Sequence, residues 1–164
     1  MRFVTLALLI HLASAFRAAA QGPRVEITVA AAGRGAPLTG RMYLFVSRSD
    51  DVEPRLQVRH ESDCTPFFGV DVTALAPGTP AVIDGTTLGY PVASLNGIPA
   101  GDYYVQGLLN VYSEFHRADG HTLWLHDDQW EGQQFNKAPG NLVSEARRVH
   151  LDPARPDTVR LELT

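Results

Sequence analysis

The sequence predicts an all-β domain, an antiparallel β-sandwich of about eight short strands. Three observations carry that expectation. Past residue 20 the apolar residues recur with period two, the period of strands, and not with the 3.6 of helices. No window of twelve or more residues beyond that point has convincing helical periodicity. Glycine and proline, 14 and 11 of 164 residues, cut the chain into short segments, as the many turns of a sandwich require.

The strands follow in order. Val25, Ile27, Val29 and Ala31 alternate with Glu26, Thr28 and Ala30, the pattern of a half-buried strand. AGRGAPLTG (32–40) is a turn region, and RMYLFVSRS (41–49) is apolar on both faces, which predicts a central strand. DDVEPRL (50–56) breaks it, because Pro54 has no N–H for a ladder. PFFGVDV (66–72) and PAVID (80–84) are short strands. The Pro-Ala-Gly-Asp turn in YPVASLNGIPAGDYYVQGLLNVYS (90–113) feeds a long strand over Tyr103–Ser113. HTLWLHD (121–127), EARRVHL (145–151) and TVRLELT (158–164) complete the set, and EGQQFNKAPGNLVSE (131–145) reads as a long polar loop.

The N-terminus predicts export. Arg2 is followed by an apolar run, Phe3 to Ala13, interrupted only by Thr5 and His11 and shorter than the roughly 20 residues a bilayer span needs. Ala18-Ala19-Ala20 offers a small-x-small cleavage site, with Ala13-Ser14-Ala15 as a second one. The expectation is a signal peptide over 1–20, a single domain over 21–164, and a secreted or periplasmic location. No later stretch is apolar enough to span a membrane as a helix. Cys64 is the only cysteine, so no internal disulfide can form, and its expected role is that of a small buried hydrophobe. Loss of Arg2 and Arg17 with the signal leaves 12 basic against 18 acidic residues, which argues against a nucleic-acid partner.

The densest chemistry lies in EFHRADGHTLWLHDDQWEGQQF (114–135), with three histidines and both tryptophans. Asp119-Gly120 is a hairpin signal for a two-residue type I′ turn. That turn would set Phe115 opposite Trp124 and His116 opposite Leu123. It would place Glu114, His116 and His121 on one face and His126 on the other. His116, His121 and Glu114 could then supply the three ligands of a zinc site, although their spacing matches no standard motif. Asp127, Asp128 and Glu131 have the carboxylates calcium prefers, without EF-hand spacing. The favoured expectation is a polar hairpin with no metal and no cofactor. Seven of the fourteen aromatics fall within 103–135; Tyr103 and Phe115 are expected in the core. Trp130, with Trp124, Tyr112, His116, His121, Asp127 and Asp128, is expected to meet a ligand or partner.

The Pro-Ala-Gly-x-Tyr-x-Val pattern at 99–105 resembles transthyretin-like and other Ig-like sandwich modules. The run from Leu109 to Glu145, with PFFGVDV and GYPVASL, is similar to the N-terminal region of secreted bacterial esterase-like proteins. There a β-rich module precedes an α/β-hydrolase domain of the esterase-D type. The resemblance spans about 24–164. It implies a hydrolase domain as partner, in cis or in trans, with carbohydrate or ester as the substrate class. The catalytic residues of that family would lie in the hydrolase domain. No Gly-x-Ser-x-Gly elbow occurs here, since Ser47, Ser49, Ser62, Ser94, Ser113 and Ser144 all lack the flanking glycines. The expectation is therefore a non-catalytic accessory module. The alternatives are a free-standing carbohydrate- or ligand-binding module using Trp130 and Trp124, and a small metal-dependent hydrolase using His116, His121 and Glu114.

Overall fold

A computed structural model of the chain describes residues 22–31, 35–58, 64–127 and 134–164. The expected signal peptide lies outside them. Among the described residues no helix is long and apolar enough to cross a membrane.

The architecture is the predicted all-β one, more finely divided than expected. The strands are β1 (Arg24–Val29), β2 (Leu38–Ser47), β3 (Phe67–Leu75), β4 (Ala81–Ile83), β5 (Gly89–Tyr90), β6 (Gly101–Val111), β7 (Ser113–His116), β8 (Thr122–Leu125), β9 (Leu142–Val143), β10 (Arg147–Leu151) and β11 (Thr158–Leu163). Two single 3-10 turns, Pro54–Gln57 and Leu95–Gly97, are the only helical pieces described. One sheet runs β11-β1-β4 and the other β10-β6-β2-β3-β5, with β9 also paired to β6. All pairings are antiparallel except that of β1 with β11, which is parallel from Arg24–Thr158 to Val29–Leu163. The first and last strands of the domain thus lie side by side.

The alternation read from the sequence builds the core. Val25, Ile27 and Val29 of β1 and Leu161 and Leu163 of β11 face Met42, Leu44 and Val46 of β2, Phe68 of β3 and Val105 and Leu109 of β6, all buried. At Gly107 the two sheets approach closely. A Cβ there would sit 3.0 Å from Ile27 Cγ2 and 3.2 Å from Leu163 Cδ2.

Strand β2 is central and buried on both faces, as its sequence predicts. Its outer face carries Tyr43 and Phe45, joined there by Phe67 of β3, Leu108 of β6 and the ring of Phe135. Phe135 lies 4.5 Å from Tyr43 and 5.7 Å from Phe67, centroid to centroid. The long polar loop read over 131–145 packs, in its described part, on the chain's own sheet: Asn136, Ala138, Leu142 and Ser144 are buried. Phe135 covers the outer sheet face, while Leu142 joins the core between the sheets.

Gln106, 2% exposed, fastens this covering. Its carbonyl accepts from Arg55 N at 3.1 Å, and its amide donates to Glu53 Oε2 at 2.9 Å and Ser144 O at 3.0 Å. Arg55 and Asn136 exchange two further bonds, Nη1 to O at 2.9 Å and Nδ2 to O at 2.8 Å. The loop of the first 3-10 turn and the segment 134–144 are thereby locked together over β2 and β6.

Candidate functional site

The long strand β6 does not end at the sheet. Tyr112 N donates to Thr39 O at 2.9 Å, and the chain then runs into the β7–β8 hairpin. This hairpin is a separate two-stranded sheet, and every residue from Glu114 to Leu125 is exposed. It is an arm that carries four exposed apolar side chains. Phe115 is 42% exposed, Leu123 37%, Trp124 45% and Leu125 51%. These four are among only seven large exposed hydrophobics on the described molecule. Phe115, expected in the core, is corrected: it sits on the arm and is 42% exposed.

The turn differs from the predicted one. Arg117 N donates to His121 O at 2.9 Å and Gly120 N to Arg117 O at 3.0 Å, so Ala118, Asp119 and Gly120 form a three-residue loop. Gly120 has φ +85°, the left-handed position that closes a type I turn with a bulge. Asp119 organises this loop. Its Oδ1 accepts from His121 N at 3.1 Å, and its Oδ2 lies 2.8 Å from Arg117 Nη2. Both turn types want a glycine at positive φ, so the Asp-Gly dipeptide alone does not separate them.

The extra loop residue shifts the register by one. Ser113 pairs with Leu125, Glu114 with Trp124, Phe115 with Leu123 and His116 with Thr122. Cross-strand partners share a face. One face therefore holds Phe115, Leu123 and Leu125, with Ser113, Arg117 and His121. The other holds Glu114, His116, Thr122 and Trp124. His116 Nδ1 lies 3.2 Å from Thr122 Oγ1, and its Nε2 lies 3.7 Å from Glu114 Oε1.

His116 and His121 thus fall on opposite faces, and the Glu114–His116–His121 ligand set drawn from the two-residue turn does not assemble. His121 Nδ1 is instead 3.2 Å from Asp119 Oδ1. Among the described residues no group of three or more His, Cys, Asp or Glu is placed to hold a metal ion. Asp127 is exposed at the end of β8, while Trp130, Asp128 and Glu131 lie outside the described residues. Tyr112 is half-buried at the root of the arm. Burial, and then the nearby Asp71 carboxylate, push its phenol above the usual range.

Two further arrangements were not visible in the sequence. Arg41, Gly69, Val70, Asp71, Thr86 and Leu88 are among the residues lining an open groove of about 380 Å³. Arg41 Nη1 is held by Asp71 Oδ1 at 2.6 Å and its Nη2 donates to Gly69 O at 3.1 Å, so the cation is already neutralised. Tyr43 nearby is pushed up to about 12, mainly by burial and then by Tyr112. On the opposite edge Asp102 lies 2.8 Å from His150 Nδ1 and accepts from Arg148 at 2.9 Å. Those hydrogen bonds, His150 first, hold its carboxyl below the usual range. Among the described residues no Ser, Thr or Cys bonds the other nitrogen of His150. The residues meeting at both places come from distant segments, so no local motif announces them.

Compared with protein-family models, with curated proteins and with solved structures, the chain matches none.

Proposed function

We propose that the chain is an exported, non-catalytic β-sandwich module of the Ig-like kind that accompanies an esterase-like α/β-hydrolase domain, in cis or in trans. Its arm, Ser113–Leu125, is the element that meets this partner. The observation that carries the reading is the arm's apolar face. An isolated two-stranded hairpin is marginal in water and needs a third strand or a packed face. This one has Phe115, Leu123 and Leu125 together on one face, 37–51% exposed. Clustered exposure of this kind marks a contact site, whereas scattered exposed hydrophobics are ordinary. The Ig-like assignment is supported by Tyr103, whose hydroxyl donates to Pro99 O at 2.8 Å, four residues upstream, as a tyrosine corner does.

The test is capture from the culture medium or periplasm of the native host with the tagged chain, followed by mass spectrometry. The expected result is an α/β-hydrolase retained by the native arm and lost from the Phe115→Ser/Leu125→Ser variant. Turnover of p-nitrophenyl esters by the purified chain alone would count against the non-catalytic assignment.

A second reading rests on Trp124, which is 45% exposed between Glu114 and Thr122 on the polar face. An exposed indole beside hydrogen-bonding groups suits stacking on a sugar ring. Retention on insoluble polysaccharide that is lost in Trp124→Ala would favour it. Trp130 can be tested in the same way.

A further inference from the structure

The arm has two backbone edges as well as two faces. Among the described residues β7 and β8 pair only with each other. The closing bonds of the turn make Arg117–His121 a hydrogen-bonded pair. Pairs alternate along an antiparallel ladder, so His116–Thr122 and Glu114–Trp124 are the non-hydrogen-bonded ones. The N–H and C=O groups of Thr122 and Trp124 are therefore directed away from β7, along the outer edge of β8. The two edges are guarded differently. On β7 that edge bears Glu114, with Arg117 just beyond, and charges of this kind block edge-to-edge pairing. Thr122–His126 contains no Asp, Glu, Lys, Arg or Pro.

We propose that β8 is a self-pairing edge. Two copies of the chain dimerise by antiparallel pairing of their β8 strands about a twofold axis at Trp124, giving a four-stranded ribbon. The register is self-complementary. Trp124 lies opposite the partner's Trp124, and Leu123 opposite the partner's Leu125. Trp124 is an outward-bonding residue, so the central pair exchanges both backbone hydrogen bonds. A shift by one residue is worse on either side. Centred on Leu123 it sets His121 against the partner's Leu125, and centred on Leu125 it sets Leu123 against the partner's Asp127. Pairing consumes both β8 edges and leaves only the charged β7 edges outermost, so association closes at two copies. The face of Phe115, Leu123 and Leu125 stays open in the dimer and is doubled. The pairing does not depend on the hydrolase reading.

An interface this small belongs to the transient class, so the dimer is expected to form between roughly 10 µM and 1 mM. Sedimentation velocity of the full chain over that range is expected to show the mean mass rising toward twice the monomer and no further. Trp124→Lys and Trp124→Glu place like charges across the axis and are each expected to stay monomeric; mixed one to one, they recover the dimer. Both substitutions are on an exposed residue, and circular dichroism checks that the sandwich is intact. The register has its own readout. Hydrogen-bonded antiparallel partners lie about 5.5 Å apart at Cα, within disulfide reach. Under mild oxidation Trp124→Cys is therefore expected to crosslink to itself. Thr122→Cys, whose two copies would sit on the order of 14 Å apart, is expected not to. A wild-type chain monomeric at the top concentration, growth beyond two copies, a mixture that stays monomeric, or equal crosslinking of both cysteines would each overturn the proposal. None of these measurements contains a hydrolase, so their failure leaves the capture experiment untouched, and the reverse.

Discussion

Replacing Gln106 with alanine tests whether the covered outer face is held by polar bonds or by apolar contact alone. Gln106 is 2% exposed, and its amide links Arg55 N, Glu53 Oε2 and Ser144 O. Truncation strands the Ser144 carbonyl, which is buried, and the Arg55 N–H, which is partly buried; Glu53 is exposed enough to be rehydrated. An unsatisfied buried group costs about 1–2 kcal/mol, and the space vacated by the side chain adds about 1, for a loss near 3 kcal/mol. For a domain of this size each kcal/mol moves the midpoint by about 2–4 °C, so Tm is expected to fall by about 6–12 °C. Calorimetry or far-UV circular dichroism is the right assay. Tryptophan fluorescence is not, because Trp124 lies on the arm and says little about the sandwich. Gln106→Leu fills the space without the bonds and is expected to lose about 2 kcal/mol. A leucine variant as stable as the wild type would refute the reasoning, since it would show that the outer face is held by apolar packing alone.

Gly107→Ala is expected to cost about 1–3 kcal/mol by pushing Ile27 and Leu163 aside between the sheets, read by urea denaturation. Phe135→Ala uncovers Tyr43, Phe45 and Phe67 and is expected to lower Tm and raise binding of a hydrophobic dye. Glu53 carries a pH prediction. Its hydrogen bonds, from Arg55 first and then Gln106, hold its carboxyl below its ordinary value of 4.5. A carboxylate depressed on folding stabilises the native state above the unfolded pKa and loses that contribution as pH falls through the folded one. The stability gap between wild type and Glu53→Gln is therefore expected near neutral pH and to close below about 4.5. Phe115→Ser/Leu125→Ser, by contrast, removes only exposed side chains and is expected to leave Tm within about 1 °C of the wild type.

What the sequence made legible follows its local periods. Alternation in 25–29 and 159–163 marked the two strands that face the large sheet. A run apolar at every position in 42–46 marked the strand buried on both sides. Pairing between distant strands left no such trace. Nothing local in Arg24–Val29 or Thr158–Leu163 says that they lie side by side and parallel. The segment 134–144 was hard to read for a related reason: Phe135, which covers the outer face, and Leu142, which enters the core, share no period, so they look like chance apolar residues in a polar loop. On the arm, the residues and the existence of a hairpin were legible. Its register was not, because one glycine at positive φ serves both a two-residue and a three-residue loop. A single residue in the turn then decides which histidines share a face.

The two aromatic groups of this molecule bear on each other. On the outer face of the large sheet the chain spends two loops, a buried glutamine and a phenylalanine to cover Tyr43 and Phe45, leaving Phe45 0% exposed. The same fold leaves Phe115, Leu123, Trp124 and Leu125 about half exposed a short distance along the chain. Shortage of covering chain is a poor explanation, since two short loops suffice at the first place. Weak local ordering is a poor one too. Asp119 fixes the turn through a backbone hydrogen bond and an ion pair, a cost in side-chain entropy that an idle loop has no reason to carry. A held turn, an uncharged edge unpaired among the described residues and a half-exposed apolar face are three separable features. Each is a disadvantage to an isolated chain and an advantage to one that pairs. Their coincidence in thirteen consecutive residues, Ser113–Leu125, is the reason to look for function at the arm before the groove at Arg41 or the Asp102–His150 pair.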